Sequence, residues 1–140
     1  RLTQMTTKAL DLLDDQNDKG FFVMIEGSQI DWCGHANDIA CAMGEMDDFA
    51  KSIEQAKAYV DKNPDTLLVI TADHSTGGLT LGAHGQYKWE TDVIKGVKAT
   101  AGTITKDLLE SDDLKAVWQK YSDIEFTDAN SIKLSEAKRS

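Results

Sequence analysis

The sequence predicts an α/β fold: a mainly parallel sheet flanked by helices, with a helical insertion at the C-terminal end of the chain. Three observations carry this. Two short apolar runs, Phe21 to Ile25 and Leu67 to Thr71, read as strands buried on both faces. A long segment of helical period lies between them, so strand, helix and strand form a right-handed crossover with the strands parallel. Beyond Glu90 the pattern turns more polar and helical.

With 140 residues the chain is long enough for one domain with a hydrophobic core and too short for two comfortable ones. Its 41% hydrophobic and 28% charged residues, with a single proline, place it with globular rather than disordered or fibrous proteins. No run approaches the roughly 20 apolar residues of a membrane span, and the basic, apolar and small-residue order of a signal peptide is missing. A net charge of -9 argues against nucleic acid or an anionic membrane as partner, because both select for lysine and arginine patches. Bound cations would offset part of that charge. Cys33 and Cys41 are too few for a disulfide framework, and a bond between them is not expected.

The elements follow in order. Leu2, Met5, Ala9, Leu12 and Leu13 recur at spacings of three and four, which predicts an amphipathic helix over residues 2 to 14 with that stripe buried. It begins at the first residue, as expected of a chain cut from something longer. Residues 16 to 20 form a turn, and the first strand follows. Asn37 or Asp38 caps a second helix, whose apolar residues keep helical period from Ile39 to Val60 before Asn63-Pro64-Asp65 ends it. After the second strand, Leu79 to Leu81 reads as a further strand and Ala83-His84-Gly85 as a turn. Short helices are predicted near residues 93 to 99, 104 to 109, 112 to 121 and 128 to 138, the third with Leu114, Val117 and Trp118 inward. Residues 1 to 98 thus read as a partial α/β domain, and 99 to 140 as a helical insertion or lid of the same domain.

In open parallel sheets, ligands bind beyond the carboxyl ends of the strands. Glu26 follows the first strand, Asp31 and His35 lie in the loop after it, and Asp73 and His74 follow the second. Three carboxylates and two imidazoles therefore converge on one sheet edge, a donor set suited to zinc, with a glutamate that suits magnesium. A lone aspartate after a strand is ordinarily a turn residue or a helix cap. An adjacent Asp-His pair is rarer, and two such loops at one edge favour the metal reading over the bland one.

Glu-Gly-Ser-Gln-Ile-Asp-Trp-x-Gly-His-Ala-Asn-Asp at residues 26 to 38 and Thr-Ala-Asp-His-Ser-Thr-Gly-Gly at residues 71 to 78 closely resemble two metal-binding blocks of bacterial alkaline phosphatases. The resemblance is strong over residues 20 to 82 and looser to about Lys98. It implies that the fold is part of an alkaline-phosphatase-like sandwich. It also implies that Asp31 and His35 bind one zinc, Asp73 and His74 a second, and Glu26 a magnesium. Two Zn2+ and one Mg2+ would serve a hydrolase of phosphate monoesters, a homodimer that is periplasmic or secreted.

Trp32 resembles an aromatic residue that stands beside the first-zinc aspartate in one branch of the family, though packing is its more ordinary task. It and Ser75 are candidates for a supporting role, while neither Ser28 nor Ser75 matches the family's nucleophile. That serine is expected upstream of residue 1, and a further zinc-binding histidine downstream of residue 140. No catalytic nucleophile is therefore assigned in this chain, and alone it is expected to bind zinc weakly or not at all and to be inactive. His84 reads as an ordinary turn residue. Two alternatives stand beside this reading: a phosphodiesterase or sulfatase of the same superfamily, and a non-catalytic metal-binding or interaction module.

Overall fold

The computed structural model describes residues 1–16, 19–78, 82–88 and 90–139. Seven α-helices occur among them: α1 Leu2–Asp14, α2 Ser28–His35, α3 Ile39–Val60, α4 Thr91–Lys95, α5 Ala101–Glu110, α6 Leu114–Tyr121 and α7 Asp128–Arg139. A 3-10 turn covers Ala83–Gly85. Asn17 and Asp18 of the expected turn, the expected strand Leu79 to Leu81, and Trp89 lie outside the described residues. No helix among the described residues is long and apolar enough to cross a membrane.

The chain divides into two compact units, one of residues 1–36 and 42–78, the other of residues 37–41 and 79–140. In the first, α1 forms where its period predicts, yet its buried stripe is different. Thr6 and Leu10 are the buried residues, while Met5 and Leu12 are exposed. The reason is a polar seam toward α3. The buried Asp48 accepts from the backbone N–H of Leu2 at 3.2 Å and from the Thr3 hydroxyl at 3.0 Å, so a carboxylate on α3 satisfies one of the free N–H groups at the start of α1. Ser52, also buried, donates to the Asp48 carbonyl at 3.0 Å. Farther along, the Tyr59 hydroxyl donates to Asp14 at 2.6 Å and its ring lies 5.9 Å from that of Phe21.

The expected strands, residues 21–25 and 67–71, fall in no helix or strand. Among the described residues no strand is formed and no backbone hydrogen bond joins residues 21–25 to residues 67–71, so a parallel sheet is not shown. Nor are these runs buried on both faces: Phe22 is 91% exposed, Met24 80%, Leu67 85% and Val69 71%. A strand gains its burial and its ladder from neighbouring chain, and an apolar run by itself supplies neither. The two cysteines also correct the sequence reading. Cys33, which is buried, and Cys41 are both disulfide-bonded, and neither is free. A count of two excludes a framework but says nothing against a single bond.

In the second unit, Asp38 is the cap that the sequence left open between two residues. Its Oδ1 accepts from the backbone N–H of Cys41 at 3.0 Å and its Oδ2 from that of Ala101 at 2.6 Å, so one carboxylate serves the starts of both α3 and α5. Asp113 caps α6 through the N–H of Ala116 at 2.9 Å. Val97 and Ser122 form an isolated antiparallel bridge. Val117 is buried as expected, and Trp118 donates its indole N–H to the Ile124 carbonyl at 2.8 Å.

Helices α5 and α6 pack together around Asp107. Its Oδ2 accepts from the Tyr121 hydroxyl at 2.6 Å and from Lys120 at 2.9 Å. The Tyr121 hydrogen bond, then that of Lys120, holds the Asp107 carboxyl below the ordinary carboxylate range. A folded-state pKa below the unfolded one adds stability that is present above the unfolded value and lost as pH falls through the folded one. The α5–α6 contact is therefore expected to weaken in acid, below the ordinary carboxylate range. Asp107→Asn should flatten that acid dependence in helicity measured from neutral to acid pH, with little change at neutral pH beyond the loss of one exposed contact.

Candidate metal site

The first block folds as helix α2, where a loop was expected. Gly27 occupies the N-cap position and His35 the last turn. In a helix, residues four apart share one face, so Asp31 and His35 stand one above the other. Nε2 of His35 lies 3.4 Å from Oδ2 of Asp31. The spacing of those two residues was the signal for a helix, and the glycines around it concealed it.

The second block begins at Thr71, at the end of the second apolar run. Asp73 Oδ1 accepts from the backbone N–H of His74 at 3.0 Å, and Asp73 Oδ2 lies 3.3 Å from His74 Nε2. Thr76 brings the blocks together. Its hydroxyl donates to Asp31 Oδ1 at 2.5 Å and lies 3.1 Å from His74 Nδ1. Backbones meet just beside it: Gly77 has φ +79°, and a Cβ there would fall 2.2 Å from the Gly34 carbonyl oxygen. Only glycine accepts both that conformation and that approach.

The expected site residues divide into those that this network joins and those that it does not. Asp31, His35, Asp73 and His74 are joined. Glu26 is exposed and stands two residues before α2. Trp32 is 66% exposed, so packing does not occupy most of its surface. Ser75 is exposed and its neighbour Thr76 makes the contacts instead. Thr76 was missed because a threonine in a glycine-rich turn carries no signal of its own. His84 is an exposed turn residue with φ 57°, as expected.

Zinc takes four donors in structural sites and three protein donors in catalytic ones. Two donors at about 2.0–2.1 Å from a tetrahedral ion stand about 3.3–3.4 Å apart. The oxygen–nitrogen separations in both pairs, 3.4 Å for Asp31 with His35 and 3.3 Å for Asp73 with His74, match that spacing. Both pairs are open to solvent, with side-chain exposures from 38% at Asp31 to 86% at Asp73. Among the described residues, no three histidine, cysteine, aspartate or glutamate side chains are grouped to hold an ion. Each pair thus fits zinc by donor type and spacing and offers two donors, fewer than a zinc shell takes.

Comparison with known proteins places the chain in a family. A family profile described as alkaline phosphatase matches residues 1–138. Alkaline phosphatase 4 of Bacillus subtilis (strain 168) is 42% identical over 136 residues, which is 97% of this chain and 29% of that protein. The alkaline phosphatase of Escherichia coli (strain K12) is 40% identical over 74 residues, covering 53% of this chain and 16% of its own length. The crystal structure of a cold-active alkaline phosphatase from the psychrophile Shewanella sp. superposes with a TM-score of 0.91 at 46% identity, over 99% of this chain and 34% of that one. The chain therefore spans about a third or less of these relatives, and its fold matches the corresponding part of an alkaline phosphatase. The family of these relatives implies metal cofactors in general. On the match over nearly its whole length, the chain belongs to the alkaline phosphatase family.

Proposed function

We propose that this chain is the part of a phosphate monoester hydrolase that supplies ligands to two zinc ions and one magnesium ion. The observation that carries the reading is the junction of the two blocks, in which one hydroxyl touches both Asp31 and His74. Asp31 and His35 would hold one zinc, Asp73 and His74 the other, and Glu26 the magnesium. When bound, such metals supply Lewis-acid polarisation of the phosphate ester and activation of the attacking group. The chain's own residues do the holding: each aspartate offers one oxygen beside one imidazole nitrogen, and solvent reaches both pairs from outside.

In the same reading, residues 21–25 and 67–71 pair into a mainly parallel sheet in the full-length enzyme, which would cover the apolar side chains that they expose. Residues 99–140 form a helical insertion or lid of the domain that begins at residue 1. The enzyme is a periplasmic or secreted homodimer, and neither nucleic acid nor a membrane is its partner.

Two assays test the proposal. The full-length enzyme is expected to have a higher kcat/KM for phosphate monoesters than for phosphodiesters or sulfate esters, and a reversed order would overturn it. The 140-residue chain alone, with partial shells and no nucleophile assigned, is expected to hydrolyse a chromogenic phosphate monoester no faster than free zinc.

A further inference from the structure

We propose that Thr76 is a positioning residue that sets the ligand atoms of both blocks with a single hydroxyl. By giving its hydrogen to Asp31 and taking one from His74, it determines which oxygen and which nitrogen remain for a metal ion. That last clause rests on the metal reading above; the hydrogen-bond assignment does not.

An ionised carboxylate can only accept, and threonine has one O–H to give. The contact from Thr76 Oγ1 to Asp31 Oδ1 is 2.5 Å, the length of a charge-assisted hydrogen bond, so the hydroxyl hydrogen lies there. The contact of 3.1 Å between Thr76 Oγ1 and His74 Nδ1 must then run the other way, with the imidazole donating. In a neutral ring this makes Nδ1 the protonated nitrogen and leaves Nε2 with its lone pair.

The consequence appears on the far side of the ring. Nε2 of His74 faces Asp73 Oδ2 at 3.3 Å, while Asp73 Oδ1 is already engaged by the His74 backbone N–H. Two acceptors face one another, an arrangement that a cation between them would stabilise. On the other block, the hydroxyl occupies Asp31 Oδ1, and Asp31 Oδ2 is the oxygen left beside His35 Nε2 at 3.4 Å. Thr76 thus selects one free oxygen on Asp31 and one free nitrogen on His74. Partners of this kind, which orient metal ligands from behind, change metal affinity by about 10–100-fold when removed.

The test separates the hydroxyl from its shape. Valine keeps the branching of threonine without the oxygen, and serine keeps the oxygen without the methyl. In the 140-residue chain labelled with 15N-histidine, held metal-free by a chelator at about pH 9 where an unperturbed imidazole is neutral, the nitrogen shifts report the His74 tautomer. The Nδ1–H form is expected to predominate in the unaltered chain and in Thr76→Ser. In Thr76→Val it should give way to the Nε2–H form that free histidine favours. Zinc affinity of the full-length enzyme, measured by competition with a chromogenic chelator, should fall about 10–100-fold in Thr76→Val and recover in Thr76→Ser.

A Thr76→Val chain with the unaltered tautomer overturns the proposal, and so does a serine variant that behaves like the valine one. If the tautomer shifts as stated while the full-length enzyme takes up no zinc, Thr76 keeps its assignment toward His74 and the metal reading is what fails. If zinc affinity is unchanged by valine, the claim that Thr76 prepares the ligands is wrong even though zinc binds.

Discussion

Gly77→Ala is expected to pull the two sequence blocks, residues 26 to 38 and 71 to 78, apart. The substitution meets two costs at once. A residue with a Cβ at φ +79° is strained, by about 1–2 kcal/mol. The added atom would also lie 2.2 Å from the Gly34 carbonyl oxygen, and a backbone atom cannot swing away as a side-chain tip can. Overpacking of that kind costs about 1–3 kcal/mol more. Together these are large against the stability of a small unit. Gly78→Ala is the control, because Gly78 has φ +66° with nothing within 4 Å of its Cβ position. It should cost about 1–2 kcal/mol, from strain alone. Urea unfolding of both variants checks the difference, with the midpoint of Gly77→Ala the lower.

Asp31→Asn is the second large effect. Asparagine keeps the size of aspartate, and its carbonyl oxygen still accepts from Thr76, so the junction of the blocks should survive. What is lost is the negative charge on the oxygen beside His35. In the full-length enzyme, phosphomonoesterase kcat/KM is expected to fall by more than about 100-fold, beyond the range seen for residues that only support a metal ligand. Excess zinc should restore part of the activity if weakened binding is the cause. A variant that retains full activity at limiting zinc would remove Asp31 from the site.

Much of the fold was legible because helices announce themselves by period. Residues 2 to 14, 39 to 60 and the C-terminal helices were placed within a few residues of where they occur. The faces were harder. Apolar period drew attention to Met5 and Leu12, whereas hydrogen bonds between α1 and α3 run from Leu2 and Thr3 to Asp48 and from Tyr59 to Asp14. Polar seams have no periodic signature, since each side chain there is defined by its partner. Helix α2 escaped notice for a related reason: eight residues with an internal glycine give too few turns for a pattern.

The site was legible by residue type and not by connection. Asp31, His35, Asp73 and His74 stood out as metal donors, and the structure joins them in two pairs. Their link through Thr76, and the need for glycine at Gly77 against Gly34, depend on where two distant segments meet. The expected strands show the same limit from the other side. Phe21 to Ile25 and Leu67 to Thr71 are apolar enough for a sheet centre, but a sheet is a relation between segments, and its ladder is not shown among the described residues.

Anomalous scattering at the zinc edge from crystals of the full-length enzyme is the most direct measurement of the central claim. The account predicts two zinc ions, one bound by Asp31 and His35 and the other by Asp73 and His74, at about 2.0–2.2 Å from an oxygen and a nitrogen of each pair. Zinc held elsewhere, with these four side chains free of metal at full occupancy, would contradict it.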